Sequence, residues 1–388
     1  MHRFTPTLDP ALAAANLERL LPAHVDPAPL QPYIRRLRAM FAAFAASCPP
    51  PWPAPGLALC PEDHYRSELW LPLAAIRPAF HRLYRASLRH APILSSPPFA
   101  DAASWAAIVA GHPPLFEGAS DPAALLERLL AHGDRRTTFL FRSFLPERFY
   151  GTGARRYPEQ SAFIAAWLAE RERRHGPLRC LDAACGDGAG TYDLTRLLLE
   201  AGYGAGEFRV EGWTIDPLEV WAAAHAAFPH DPQRQARYRA WAAPVFAAGA
   251  QSAMLFKTVD LLHIKSLPLQ RGGQEGDGDL GTADVPHPHP IPPLEGEGDS
   301  CSLSIETFDL ILCNGLLGGP ILHREEDVQR VVGNLTALLR PNGLLLAADR
   351  FHGGWKQQIP FECLGELFKG CGLAVQPAGE GIAGLKRE

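Results

Sequence analysis

Leu181-Asp-Ala-Ala-Cys-Gly-Asp-Gly-Ala-Gly-Thr-Tyr-Asp-Leu194 decides how the chain is read. Ahead of it, Arg179–Ala184 is a short apolar run of strand length, and the run ends in the carboxylate of Asp182. Three glycines at alternate positions, Gly186, Gly188 and Gly190, then form a turn whose backbone can approach a ligand and let the next helix pack closely. Beyond the turn, Leu194, Leu197 and Leu198 repeat at helical spacing within Tyr192–Gly202.

The same grammar recurs downstream. Phe208–Ile215 is a second strand, followed after Asp216 by a helix through Ala227. A further apolar run, Phe256–Val259, precedes Asp260, and Phe308–Cys313 leads into Asn314. Glu325–Leu339 is helical, and Pro341-Asn342-Gly343 turns the chain into a strand over Leu344–Ala348. Leu373–Gln376 and Ile382–Lys386 close as a hairpin around Gly379–Gly381. Strands alternating with helices at this spacing predict an α/β, Rossmann-like, mainly parallel sheet with helices on both faces.

Residues 1–135 read instead as an all-helical domain without alternating strand patterns. Asp9-Pro10 and Asp121-Pro122 each set a capping side chain before a proline at the first helical position. Helical runs cover Tyr33–Cys48, Leu69–His90 and Ala123–Ala131. The α/β domain takes residues 136–388. Within it, 266–302 reads as a disordered acidic, Pro- and Gly-rich insertion, too poor in apolar residues to offset its ordering entropy. His287 and His289 lie in that stretch and have no other ligand type clustered with them, so no metal is expected.

Charge and cysteine usage narrow the function classes. Of the net −5, the stretch Ser266–Ser300 carries −6, which leaves the remainder nearly neutral at +1. That balance lacks the basic surplus of a nonspecific nucleic-acid binder, and no nucleic-acid partner is expected. The eight cysteines form no CxxC pattern, there is no HExxH, and neither an apolar leader nor a membrane-length apolar run occurs. A cytoplasmic protein with reduced thiols and no membrane insertion is the expectation.

In open α/β sheets ligands sit beyond the carboxyl ends of the strands. Asp182, Ala183, Gly186 and Gly188 stand at the first such end, and Asp216 at the second, where a carboxylate accepts from a ribose diol. Asp260 would border a nucleobase, and Asn314 would lie on the wall nearest the reacting atoms. A dinucleotide fingerprint requires glycine where this chain has Thr191, and no GxxxxGK[ST] is present. The spacing suits S-adenosylmethionine, whose amino group can face a carboxylate and which has no pyrophosphate to seat on a helix.

With these residues assembled, the stretch 181–194 resembles the chemotaxis receptor glutamate methyltransferases (CheR type), matching at Cys185, Gly188, Tyr192 and Leu194. Thr214-Ile-Asp-Pro-Leu-Glu219, Val259-Asp-Leu261 and Phe308-Asp-Leu-Ile-Leu-Cys313 agree in order, and upstream Thr138-Phe-Leu-Phe-Arg142 looks like the family's TxFFR signature. The resemblance runs from about Asp134 to the C-terminus and implies a class I methyltransferase. Its cofactor would be S-adenosyl-L-methionine, its product S-adenosyl-L-homocysteine, and its acceptor a glutamate carboxylate of a partner protein such as a chemoreceptor. An ionised carboxylate needs no general base, so catalysis would rest on alignment. Arg142 is the residue the resemblance assigns there, forking onto the acceptor carboxylate or onto the cofactor's own. The chain departs from the family in three places. Ala189 and Gly190 replace an acidic pair, Gly319 replaces an acceptor-side tyrosine, and the receptor-docking β-subdomain expected between Ala226 and Leu255 is curtailed. Those departures leave two alternatives: a small-molecule acceptor beneath the helical domain, or a non-catalytic module that binds the cofactor or its product.

Overall fold

The computed structural model describes residues 1–47, 58–93, 102–111, 120–145, 156–171, 176–264, 307–319, 322–348 and 361–387. The acidic insertion at 266–302, with His287 and His289, lies outside the described residues.

Side-chain caps start the first helices where the Asp-Pro pairs predict. Asp9 accepts from the backbone N–H of Ala11 at 2.8 Å to open α1 (Pro10–Glu18), and Asp121 accepts from Ala123 at 2.8 Å to open α6 (Pro122–Ala131). Between them lie α2 (Gln31–Ser47), α3 (Pro61–Trp70), α4 (Leu73–Ser87) and α5 (Trp105–Gly111). The single helix expected over Leu69–His90 is two, because Pro72 turns the chain at Leu71 before α4 begins. After α6 come α7 (Gly133–Phe144) and α8 (Pro158–Glu170); position 135, the expected domain boundary, falls inside α7.

The sheet uses β1 (Arg3–Phe4), β2 (Leu178–Asp182), β3 (Phe208–Thr214), β4 (Met254–Thr258), β5 (Phe308–Leu312), β6 (Leu339–Ala348), β7 (Leu373–Ala378) and β8 (Gly381–Lys386). Their order is β1-β4-β3-β2-β5-β6-β8-β7. The strands from β4 through β6 pair in parallel, while β8 runs antiparallel to both β6 and β7. Leaving β1 aside, this is the Rossmann-like methyltransferase sheet, with its antiparallel hairpin beside the last parallel strand. The expectation of a strandless N-terminal region is corrected by β1, which pairs antiparallel with β4 through Phe4 and Phe256. Two residues are too few to show alternation, so only the neighbouring edge makes them a strand.

The crossovers are α9 (Ala189–Glu200), α10 (Pro217–His225), α11 (Pro232–Ala247) and α12 (Glu325–Leu338), with α13 (Phe361–Gly370) ahead of the closing hairpin. Alternate strand residues divide between two cores. Cys180, Val210, Phe256 and Leu310 share one hydrophobic cluster with α9 and α10 and with the N-terminal helices, through Phe139, Phe141 and Tyr84. Leu181, Trp213 and Ile311 face the other, filled by Val328, Val331 and Leu335 of α12. Because the chain goes from β2 to β3 on one side and reaches β5 on the other, the strand order reverses at β2, which places a crevice at its carboxyl end.

Candidate functional site

The turn after β2 is held by its neighbours. The Ala183 amide donates to the Leu312 carbonyl at 2.7 Å, and that of Cys185 to Trp213 at 2.9 Å, so strands on both sides fix its first half. Gly188 closes the turn on Cys185 at 2.8 Å and begins α9. The three glycines do different work. Gly186, at φ +52°, has nothing within 4 Å of where a side chain would start, so its backbone borders open space. Gly188, at φ +87°, would put a Cβ 2.6 Å from that of Ala223 and 3.0 Å from the Phe256 ring. Gly190 would meet the Asp182 carboxylate at 2.9 Å. Two of the three therefore serve packing, and one borders the crevice.

Asp182 is 5% exposed. Its Oδ2 accepts from the Thr191 hydroxyl at 2.9 Å, and the Ala184 amide also donates to it. Burial nonetheless pushes its carboxyl up to about 6, against the pull of those bonds and of the charge on Arg156. The carboxylate expected to meet a ligand amino group also ties the end of β2 to the first turn of α9. Asp216 stands at the end of β3, where it caps α10 by accepting from Leu218 at 2.8 Å. Thr214 beside it donates to Glu219 at 2.6 Å. Asp260, half-exposed after β4, accepts from the Leu262 amide at 2.9 Å and pairs with His263 Nδ1 at 2.7 Å.

Asn314, at the end of β5, is more constrained than its expected role on the ligand wall requires. Its Oδ1 accepts from Ala348 at 2.8 Å and from Gln160 Nε2 at 3.1 Å, and its Nδ2 donates to Gln160 Oε1 at 2.8 Å. The two amides lock α8 to the β5–β6 edge. Glu380 accepts from the Glu159 and Gln160 amides, fixing the first turn of α8 against the closing hairpin.

Arg142, expected to fork onto a carboxylate, has a backbone partner in the structure. The structure bonds its Nη2 to the backbone carbonyl of His230 at 3.0 Å, so the guanidinium ties α7 to the turn before α11. Its Nε is buried without a partner among the described residues. The cause is the amphipathic face of α7: Phe139 and Phe141 pack inward and carry the arginine against that turn. The sequence reading missed Asp187, Arg234, Tyr238 and Gln160. Arg234 and Asp187 form a buried ion pair at 2.7 Å, and the Tyr238 hydroxyl donates to the Asp187 carbonyl at 2.7 Å. The one local signal for any of them is an acid set between two glycines.

Cys180, Cys185 and Cys313 are buried, and burial pushes each thiol up, which leaves them poor nucleophiles. Among the described residues no group of three metal-ligating side chains converges, and no helix is long and apolar enough to cross a membrane.

No family model matches the chain, and no curated protein does either. Solved structures do. One is an O-methyltransferase family protein from Burkholderia thailandensis, 13% identical over 98% of this chain and 99% of that one, with a TM-score of 0.32. Another is a TehB-like SAM-dependent methyltransferase from Corynebacterium glutamicum, 14% identical over 59% of this chain and 88% of that one, with a TM-score of 0.32. A third is the [4+2]-cyclase SpnF, 17% identical over 55% of this chain and 58% of that one, with a TM-score of 0.30. The chain thus spans less than two thirds of the cyclase's length. At such TM-scores the superpositions are too loose to assign a role, and none of the three carries the chemotaxis family's name. The fold rests on the strand order: the chain has the α/β architecture of class I methyltransferases.

Proposed function

We propose that this protein is an S-adenosylmethionine-dependent methyltransferase with a small-molecule acceptor. The observation that carries the reading is the carboxyl edge of β2, β3 and β4. There the open backbone of Gly186 stands beside the buried Asp182, and Asp216 and Asp260 follow at the next two strand ends. A ligand with a ribose diol, a nucleobase and two positive charges suits an edge made of carboxylates and a bare peptide. Asp216 would accept from the ribose, Asp260 would border the base, and Ala183 and Gly186 would present backbone. Asp182 would shape the turn from behind. When bound, the cofactor supplies an electrophilic methyl on its sulfonium.

The acceptor assignment follows from the segment where a receptor-docking β-subdomain is expected. Between Ala226 and Leu255 the chain forms α11 and a short 3-10 turn over Ala250–Ala253, with no strand until β4 begins at Met254. Gly319 also stands where the resemblance to the chemotaxis family leads one to expect an acceptor-side tyrosine. Both features favour a small acceptor over a protein glutamate, the reading that the TxFFR-like stretch would support. A carboxylate acceptor asks least of the protein, since it arrives ionised and needs only alignment.

Calorimetric titration with S-adenosylhomocysteine tests the reading on wild type and on Asp216→Asn. Asparagine keeps an oxygen to cap α10 while it removes the charge and turns the second acceptor oxygen into an amide donor. Binding on the order of micromolar in wild type, weakened about tenfold or more in the variant, is the expected result, about 1.4 kcal/mol. A folded wild type that does not bind overturns it. Labelled methyl appearing in protein rather than in low-mass product from a cell extract would return the acceptor to a protein carboxylate.

A further inference from the structure

The turn after β2 has little rigidity of its own. Gly186 and Gly188 both adopt left-handed backbone, and the residue between them, Asp187, is flanked by the two most permissive positions in the segment. Yet Asp187 is held at three points. Its Oδ1 accepts from the Ala189 amide at 3.2 Å, its Oδ2 pairs with Arg234 Nη2 at 2.7 Å, and its carbonyl accepts from the Tyr238 hydroxyl at 2.7 Å. Arg234 and Tyr238 are four residues apart on α11, one helical turn, so a single helix face reaches the turn twice.

Arg234 also faces the other way. Its Nη1 donates to the Leu145 carbonyl at 3.2 Å, at the C-terminal end of α7, where a helix leaves carbonyls without intrahelical partners. The guanidinium lies 4.3 Å over the Phe228 ring, and the residue is 5% exposed. Arg142 closes the circuit, linking α7 to the His230 carbonyl just ahead of α11. The turn, α11 and the end of α7 therefore share one buried cation.

We propose that Arg234 is the positioning residue for the turn that binds the cofactor, and that through it the seating of α7 sets cofactor affinity. The inference rests on the methyltransferase reading for its ligand but not for its geometry. A merely structural ion pair would lower stability on removal and leave the turn's shape alone. Removing a positioning pair loosens the turn specifically, and the loss shows in the turn's own amides and in the ligand they would face.

The test uses the whole chain in the variants Arg234→Met, Arg234→Lys, Asp187→Asn and Tyr238→Phe, at a temperature where circular dichroism shows each folded. Hydrogen exchange is read without cofactor and S-adenosylhomocysteine affinity by calorimetry. Arg234→Met should speed exchange at the 185–188 amides by about tenfold or more while β2 and β5 keep their protection, and should weaken binding by about tenfold or more. Arg234→Lys should restore most of the turn's protection, because an ammonium can still pair with Asp187. If Arg234→Met does not fold, Asp187→Asn and Tyr238→Phe carry the same expectation through milder changes. Unchanged exchange at 185–188 in the folded variants overturns the proposal. A loosened turn in a protein whose wild type never binds the cofactor sinks the methyltransferase reading and leaves the clamp standing.

Discussion

Two buried aspartates, at opposite ends of adjacent strands, live in opposite electrostatic worlds. Asp309, near the start of β5, accepts from Arg171 at 2.6 Å, from Arg340 at 2.9 Å and from the Arg179 amide at 2.9 Å. Asp182, at the far end of β2, has a hydroxyl and an amide, and burial pushes its carboxyl up to about 6. Both are at most 5% exposed. The first charge is neutralised by the fold; the second is tolerated by it. Two arginines hold the first charge, while the second has only hydrogen bonds and the more distant pull of Arg156, and it lies at the carboxyl edge proposed for the cofactor.

The largest effect expected from this contrast is at the scaffold end. Asp309→Ala leaves the Arg171 guanidinium buried without its carboxylate and should cost about 3–5 kcal/mol in denaturant unfolding. S-adenosylhomocysteine affinity in the surviving folded fraction should be unchanged; a loss of affinity there would break the division between the two ends.

Asp182→Asn sharpens the comparison from the other side. The folded protein holds the Asp182 proton more tightly than the unfolded chain, whose value is near 3.8. Its contribution to stability is therefore complete below pH 4 and is lost as pH rises through about 6. Asparagine removes that loss, so at pH 7 the variant should be more stable than wild type by on the order of 3 kcal/mol, with the gap closing toward pH 4. His230, pushed down to about 4 chiefly by burial, acts oppositely in both proteins, so the difference between their melting curves is the quantity to follow. A gap independent of pH would mean that Asp182 is compensated after all.

A smaller effect divides the turn itself. Gly188→Ala meets both the left-handed backbone and the Ala223 and Phe256 contacts, and should cost about 2–3 kcal/mol. Gly186→Ala meets only the backbone penalty, about 1 kcal/mol, because open space lies beyond it. Cofactor binding should respond in the reverse order per unit of stability lost, with Gly186 affecting it most directly. Equal responses would make all the glycines packing residues.

The strand–turn–helix at 178–200, the capped starts of α1 and α6 and the closing hairpin were legible because their causes are local. Each rests on alternation, on turn residues, or on a capping side chain within three positions. The site was legible only as a list of strand ends. Asp182, Asp216, Asp260 and Asn314 all stand at strand ends, but their partners were not legible, Thr191 for Asp182 and Gln160 for Asn314 among them. Arg142, read from a motif, faces a backbone carbonyl on a turn 88 residues away. Arg234 offered no signal, since a polar residue in a helix rich in arginine looks like any solvated position.

The amino-acid sequence by itself determined that the chain alternates strands with helices after residue 178 and bends through glycines at the first strand end. Dihedral preference and hydrophobic period are properties of neighbours, and neighbours are what a sequence displays. Tertiary structure alone decided that two N-terminal residues join the sheet, that one aspartate is neutralised while another is not, and that a distant arginine grips the turn. Those outcomes depend on burial and on charges brought together across 46 residues between Asp187 and Arg234 and across 137 between Arg171 and Asp309. Electrostatics in a low-dielectric interior is set by what folding places within a few ångströms, whatever the separation along the chain.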